Sequence, residues 1–181
     1  MKQLIPQQAP PSELPSRFDL GKTNAEILFN SALANRNAAI SLVRQGHHSV
    51  CLYTQDLDPK VLNDESFAKS ILKMIKNYKQ MKVQILVRDS GKAVKGSHIL
   101  LRLAQQLSSH IEVRQIPDVF NEEKGTFMVV DRAGFYYRPK ALEFEGSVNF
   151  NSPARAVKLL DFFADVWEKS TPDPHFRRFH I

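Results

Sequence analysis

The strongest constraint on the fold is a repeated change of hydrophobic period along residues 23–114. Residues 48–54 and 82–88 are continuous apolar runs, typical of strands that are covered on both faces. Residues 111–114 form a third, shorter run of the same kind. Helical spacing of apolar residues precedes each run, so the order is α-β-α-β-α-β. This order predicts parallel strands joined by right-handed helical crossovers.

Capping residues help to place the three predicted helices. Thr23 and Glu26 form a plausible capping box for the first, which extends to about Gln45. The second covers residues 67–78, with lysines opposite its apolar positions. Ser97 is in position to cap the third.

The pattern changes after residue 124. Residues 127–131 and 135–138 predict a hairpin whose tight turn ends at Gly134. Ser152 then caps a last helix that begins at Pro153. The predicted fold class is therefore α/β, with a mixed, mainly parallel β-sheet that is flanked by helices and followed by a C-terminal hairpin and helix.

Domain limits follow from composition. Residues 1–20 are rich in proline and glutamine and predict a flexible arm, while residues 21–181 predict a single domain. The last residues, 171–181, alternate aromatic and basic side chains, which favours docking across the domain or on a partner subunit.

Charge and cysteine content narrow the class of protein. The formal net charge is +6, and residues 69–102 hold nine basic residues but a single acid, Asp89. That stretch would favour a polyanion such as nucleic acid, and the simpler alternative is a solvated helix face with lysines in the loops. The single cysteine, Cys51, lies in an apolar run and is expected to be buried. No apolar run has the length of a membrane span and no signal peptide is evident, so a cytoplasmic protein without membrane contact is expected.

The hairpin region resembles one half of a phospholipase D-like protein. That superfamily carries His-x-Lys-x4-Asp on its hairpin, followed by a segment of the Gly-Ser-x-Asn type. In this sequence Asp131 supplies the acid, whereas Lys124 and Thr126 stand at the positions of the histidine and the lysine. Downstream, Gly146-Ser147-Val148-Asn149 matches the second segment.

A wider resemblance covers roughly residues 25–181. The segments LYTQDLDP, VQILVRDS, DRAGFYYRP and WEKSTPDPHFRRFHI are similar to those of a bacterial domain family of unknown function. Members of that family resemble catalytically degenerate single halves of the phospholipase D-like superfamily, and some follow an acetyltransferase domain in longer chains. The resemblance implies the fold and a degenerate active site.

Loss of the two motif residues has a chemical consequence. In the active enzymes that the chain resembles, a histidine attacks phosphorus and lysines hold the phosphate oxygens. A lysine is protonated at neutral pH and is a poor nucleophile, and a threonine supplies no cation. The resemblance therefore implies that phosphodiester cleavage is lost, and no catalytic residue is predicted.

Anion binding survives as a hypothesis. Lys124, Thr126, Ser147 and Asn149 carry donors that suit phosphate oxygens, and they are predicted to converge on an anion. The alternative is that Lys124 is a turn residue and that Ser147 and Asn149 satisfy backbone groups. Asp131 is likewise either part of this site or simply the first residue of a turn.

Two further positions are candidate ligand-binding residues. His98 stands at the start of the third helix, where free amides attract anions. Asp56 follows the first strand, at the edge of an α/β sheet where ligands gather. A surface or interface histidine and a capped turn are the alternatives. No metal site and no cofactor are predicted.

The sequence thus favours a non-catalytic phospholipase D-like domain. It would bind a phosphate-containing ligand, nucleic acid or a protein partner, and the resemblance suggests a homodimer. The alternatives are an altered phosphodiesterase and an accessory to an acetyltransferase.

Overall fold

The structure, a computed structural model, describes residues 2–4 and 18–176 of the chain. Its strands form one sheet of nine strands in the order β1-β2-β8-β7-β6-β3-β4-β5-β9. The strands are β1 (Lys2–Leu4), β2 (Glu26–Phe29), β3 (Ser49–Thr54), β4 (Lys82–Val87), β5 (Ile111–Gln115), β6 (Thr126–Val130), β7 (Gly134–Arg138), β8 (Gly146–Asn149) and β9 (Thr171–Pro172). The helices are α1 (Ala32–Val43), α2 (Glu65–Asn77), α3 (Gly91–Lys95), α4 (Ile99–Gln106) and α5 (Pro153–Lys169).

Helices cover both faces of this sheet. Alternate residues of β3 and β6 point into two separate apolar clusters, one beneath α1, α2 and α4 and the other beneath α5. We call these two sides of the sheet the α2 face and the α5 face. Met128 and Val130 pack on the α2 face, whereas Phe127 and Val129 pack on the α5 face. Burial on both sides explains why these strands read as continuous apolar runs.

The mixed α/β class is confirmed, but parallel pairing covers less of the sheet than predicted. Strands β3, β4 and β5 are parallel, as are β1 and β2. The hairpin β6–β7 and strand β8 pair antiparallel, and they join β2 to β3. The helical crossovers therefore build only part of the sheet, and the chain after residue 124 inserts its strands between the first two strands of the crossover series.

The predicted first helix is wrong at its beginning. Residues 26–29 form β2, in which Ile27 and Phe29 are buried and their neighbours are half-buried. This period of two spans only four residues, and a strand so short is easily read as the first turn of the following helix. The helix α1 begins after Ser31, whose hydroxyl accepts the backbone N–H of Ala34. Thr23 does not cap it, because its hydroxyl accepts the N–H of Asp19.

The remaining elements lie close to their predicted positions. The helix α2 begins after Asp64, whose carboxylate accepts the backbone N–H groups of Ser66 and Phe67. The last helix starts at Pro153 as predicted, although the Ser152 side chain makes no capping hydrogen bond. A strand that sequence reasoning missed, β8, occupies the Gly-Ser-x-Asn segment.

Both ends of the chain contact the sheet through short strands. Residues 2–4 of the predicted arm form β1, and Phe18 and Leu20 pack against the core. At the other end, β9 pairs antiparallel with β5. Residue 1, residues 5–17 and residues 177–181, on which the rest of the predicted arm and tail fall, lie outside the described residues.

The single cysteine is buried, as expected. Cys51 lies on β3 at 6% exposure, on the α5 face. Burial raises the pKa of its thiol to about 12, against a weaker opposing effect of Arg132. Cys51 therefore behaves as a small apolar core residue.

Candidate functional site

The candidate site lies where the parallel strands β3, β4 and β5 end, which we call the carboxyl edge of the sheet. Ligands of open α/β sheets bind at this edge. Because β6 is antiparallel to β3, β6 begins at the carboxyl edge, and β7 ends there. Lys124, Thr126, Arg138 and the loop of residues 55–62 are consequently at the same edge. The opposite side, where β3 to β5 begin, is the amino edge.

Lys124 and Thr126 differ in how they present their side chains. Lys124 is exposed, and its backbone carbonyl accepts the N–H of Ala141. Thr126 pairs with Arg138 across the hairpin and is 2% exposed. Its buried hydroxyl has no hydrogen-bond partner among the residues that the structure describes. A buried hydroxyl without a partner is uncommon in folded proteins, so Thr126 is a candidate donor to a ligand.

Asp131 lies at the amino edge, at the other end of β6 from Lys124 and Thr126. Its carboxylate accepts three backbone N–H groups, from His47 (2.7 Å), His48 (2.8 Å) and Ser49 (2.9 Å). Thr126 is the first of the five residues of β6 and Asp131 directly follows the last, so the two lie roughly 16 Å apart along the strand. The acid of the resemblance therefore anchors the segment that leads into β3 and does not lie beside the candidate site.

Ser147 and Asn149 point to the α5 face, opposite to Thr126. Strand β8 alternates, so that Val148 packs on the α2 face and its two neighbours face the other way. The amide of Asn149 donates to Asn24, and its oxygen accepts the N–H of Asn151. The predicted convergence of Lys124, Thr126, Ser147 and Asn149 is therefore not found, and Asn149 has the structural role named as the alternative.

His98 is the N-cap of α4, a role that was predicted for Ser97. Ser97 has a φ of +50° and lies in the turn between α3 and α4. The Nδ1 atom of His98 accepts the N–H of Leu100 at 3.2 Å, so Nε2 carries the proton and donates to the carbonyl of Leu57 at 3.1 Å. His98 is 1% exposed, and desolvation lowers its pKa. Both ring nitrogens are engaged, and the imidazole ties α4 to the loop of residues 55–62.

Asp56 forms a local turn within that loop. Its Oδ1 atom accepts the N–H of Asp58 at 3.1 Å, which is the capped turn considered as an alternative to ligand binding. The two residues that follow Asp56 have positive φ, +64° for Leu57 and +29° for Asp58. Neither is glycine, so the loop holds an unfavourable backbone conformation at the carboxyl edge.

The residue that sequence reasoning missed is Arg138. Its side chain is 1% exposed and forms an ion pair with Asp58, whose side chain is 13% exposed. Its Nε and Nη2 atoms donate to the carbonyls of Glu143 and Ala141. A signal was present, because the period of two along β7 places Arg138 on the same face as the core residue Tyr136.

A second arginine organises the loops on the α5 side of the carboxyl edge. Arg88 follows β4 and donates to the side chains of Gln55 (2.8 Å) and Asn121 (2.6 Å) and to the carbonyl of Phe120 (2.8 Å). It also donates to the hydroxyl of Tyr53. These contacts engage all three guanidinium nitrogens, so Arg88 has a structural role here.

Exposed cations cover the helices of the α2 face. Lys69, Lys73 and Lys76 are spaced by four and three residues and form one stripe along α2. Further exposed cations follow α2 or lie on α3 and α4, which belong to the same helical layer: Lys79, Lys92, Lys95 and Arg102. We call these seven residues the basic surface. Lys69 pairs with Glu65, and the other six have no ion-pair partner in the described part of the chain.

Neither a metal site nor a membrane-spanning helix is present in the described residues. Within residues 2–4 and 18–176, no group of three or more histidine, cysteine or acidic side chains is arranged to hold a metal ion. None of the helices in the same ranges has the length and apolar character that a membrane crossing needs.

Comparison with known proteins identifies a family and a fold. Residues 31–179 match the family described as "Domain of unknown function (DUF7931)". No curated protein matches the chain.

Solved structures of phospholipase D-like proteins superpose on the chain. Nuc from Salmonella typhimurium, a phospholipase D family member, is 16% identical, with a TM-score of 0.52 over 75% of this chain and 88% of that chain. NucT from Helicobacter pylori is also 16% identical, with a TM-score of 0.58 over 82% of this chain and 98% of that chain. The predicted phospholipase D-like half-domain fold is thereby confirmed.

A third similar structure belongs to a DNA-binding protein. TrmBL2, an archaeal chromatin protein described as having a novel mode of DNA binding, is 13% identical, with a TM-score of 0.61. The superposition covers 93% of this chain and 57% of that one. At this level of identity the similarity concerns the fold.

Proposed function

The chain belongs to the DUF7931 family of domains of unknown function, and we propose that it is a non-catalytic phospholipase D-like domain that binds nucleic acid through its basic surface. The observation that carries this proposal is the stripe of Lys69, Lys73 and Lys76 on α2. All three side chains are exposed, and the surrounding cations have no acidic partners in the described residues. Only Lys69 of this row has an acidic partner in the described residues, Glu65, and a row with so little neutralisation attracts a phosphate backbone.

The spacing of the stripe suits a polyanion. Lys69 and Lys76 are seven residues apart on a helix, which is about 10 Å along its axis. Duplex DNA carries one charge per roughly 1.7 Å of helix axis, so that several phosphates lie within this length. No aromatic side chain accompanies the lysines on the stripe, which favours contact with phosphates and gives no platform for stacked bases. The fold shared with a DNA-binding chromatin protein is consistent with this use.

The absence of catalysis is proposed from the position of the histidines. Of the five that the structure describes, His47, His48 and His110 precede β3 or β5 and lie at the amino edge. His98 has both ring nitrogens engaged, and His175 follows β9 at the outer side of the sheet. The carboxyl edge of the described chain therefore offers no free imidazole to attack phosphorus beside Lys124 and Thr126.

Salt-dependent binding tests the proposal. Fluorescence anisotropy of labelled single-stranded and double-stranded DNA is measured at 50 and 200 mM salt. Three phosphate contacts contribute about 2.7 to the slope of log affinity against log salt on a duplex. Over this fourfold change of salt they account for a roughly 40-fold loss of affinity. The variant Lys69→Gln/Lys73→Gln/Lys76→Gln is expected to lose that part of the slope and to bind more weakly at 50 mM salt.

A matched control variant distinguishes the effect of the basic surface on DNA affinity from the effect of net charge. Lys22→Gln/Lys140→Gln/Lys158→Gln removes the same three charges from the net +6, at exposed positions outside the basic surface. It is expected to bind nearly as the wild type does. Equal losses in the two variants, or no binding by the wild type at low salt, would contradict the proposal. A homodimer, a protein partner such as an acetyltransferase, and a cytoplasmic location stay predictions.

A further inference from the structure

A buried cation lies at the carboxyl edge, separate from the basic surface. Arg138 is among the largest fully buried side chains, and it lies on the α2 face beside Tyr136. Two backbone carbonyls accept from its Nε and Nη2 atoms, but carbonyls do not neutralise a charge. The carboxylate of Asp58, bound to Nη1, does so. A guanidinium buried to this extent requires an anion.

Asp58 reaches this position through a loop that other contacts hold in place. The N–H of Leu57 donates to the hydroxyl of Thr54, and its carbonyl accepts from His98. The carbonyl of Asp58 accepts the N–H groups of Val61 and Leu62. The positive φ values of Leu57 and Asp58 persist because these bonds fix the loop on both sides. The loop thus carries a carboxylate to the buried arginine.

Thr126 adds an unused donor next to the arginine. Thr126 and Arg138 are directly paired on adjacent strands, and their side chains share the α2 face. Directly opposite residues place their Cβ atoms about 5 Å apart. The Thr126 hydroxyl is buried and has no partner within the described residues. A guanidinium and a hydroxyl are donors that bind the oxygens of phosphate. Of these two donors the Asp58 carboxylate binds only the guanidinium, through Oδ2, while its Oδ1 atom accepts the backbone N–H of Lys60.

We propose that Arg138 and Thr126 form a binding site for a phosphate-type oxyanion, which the carboxylate of Asp58 occupies from within the chain. An external anion competes with Asp58 for Arg138. Asp58 is the more exposed partner, at 13% against 1%, so its side chain is the more accessible of the two to solvent. Removal of this carboxylate opens the site from outside.

Chemical rescue by an anion tests the site. Asp58→Gly removes the carboxylate and suits the φ of +29° at this position. The variant is expected to unfold at a lower temperature than the wild type, because Arg138 is left buried without an anion. Inorganic phosphate is expected to raise its Tm above the value in sodium chloride of equal ionic strength. At about five times the dissociation constant the rise is roughly 2–4 °C. The wild type is expected to respond less, since phosphate must first displace Asp58.

The double variant Asp58→Gly/Arg138→Met is the control for specificity. It lacks the buried cation, and phosphate is expected to have the same effect on it as sodium chloride. The variant Asp58→Ser, which removes the carboxylate and leaves part of its volume empty, provides a second background if the glycine variant does not fold. The proposal is overturned if phosphate exceeds sodium chloride in neither single variant, or if it stabilises the double variant equally. This result is independent of DNA binding, because none of these substitutions touches the basic surface.

Discussion

Substitution of Asp131 tests whether this acid stabilises the fold or takes part in ligand binding. Its side chain is 10% exposed, and its carboxylate accepts the backbone N–H groups of three consecutive residues before and at the start of β3. We expect Asp131→Ala to destabilise the domain and to leave its affinity for DNA unchanged, since the basic surface lies on α2 to α4.

The magnitude follows from the three donors. The N–H of Ser49 is half-buried, and leaving it without a partner costs about 1–3 kcal/mol. His47 and His48 are exposed, so water replaces the carboxylate and each bond costs about 1 kcal/mol at most. Alanine at a φ of +53° adds about 1 kcal/mol. The sum is roughly 2–6 kcal/mol, and the middle of this range lowers Tm by roughly 10 °C for a chain of this length.

Thermal unfolding and DNA anisotropy are measured on the same preparations. Asp165→Asn is the matched control, because it removes a carboxylate that is half-exposed and pairs with Lys169 on the same helix. Such a pair contributes about 0.3–0.5 kcal/mol. The reasoning is refuted if the Tm of Asp131→Ala lies within two or so degrees of that control. It is also refuted if Asp131→Ala abolishes DNA binding while Tm is unchanged.

Two further predictions concern the histidines. Burial lowers the folded-state pKa of His98 below the unfolded value of 6.5, so the unfolded chain binds this proton first as the pH falls. The free energy of unfolding therefore falls below pH 6.5, by at most about 1.4 kcal/mol per pH unit. The free energy of unfolding, measured with urea from pH 7.5 to 4.5, is expected to decline less steeply for His98→Gln than for the wild type. The exposed-site control His48→Gln is expected to behave as the wild type does. An unchanged decline in His98→Gln would contradict this account. Hydrolysis of bis-nitrophenyl phosphate by the wild type is expected to stay at the buffer rate, because no free imidazole lies at the carboxyl edge of the described chain; turnover that Thr126→Ala reduces would show that catalysis persists.

The sequence predicted best those elements whose pattern is long and whose burial is two-sided. Strands β3 and β4 are continuous apolar runs of six residues, and α2 has a regular apolar face. The sequence did not predict strand β2, because four residues are too few to show a period of two and were read as the start of the helix that follows. Strand β8 was not predicted, because the resemblance indicated a binding segment at Gly146-Ser147-Val148-Asn149.

The candidate site was harder to predict because it depends on which face of the sheet each residue occupies. Thr126 and Ser147 both lie toward the carboxyl edge, but β6 and β8 turn them to opposite faces. Spacing along a chain does not reveal this until the partner strands and the register are known. Asp58 and Arg138 are 80 residues apart, and only the assembled sheet brings them into contact.

The short strand β9 has a consequence for self-association. A flat outer strand presents unpaired N–H and C=O groups, and such a row is a template for fibrous aggregation. At this margin of the sheet, β9 takes up the hydrogen bonds of Arg114 and Gln115 along β5, and Pro172 has no N–H of its own to offer to another molecule. The residues after α5 thus block strand-by-strand pairing of another copy along this part of β5.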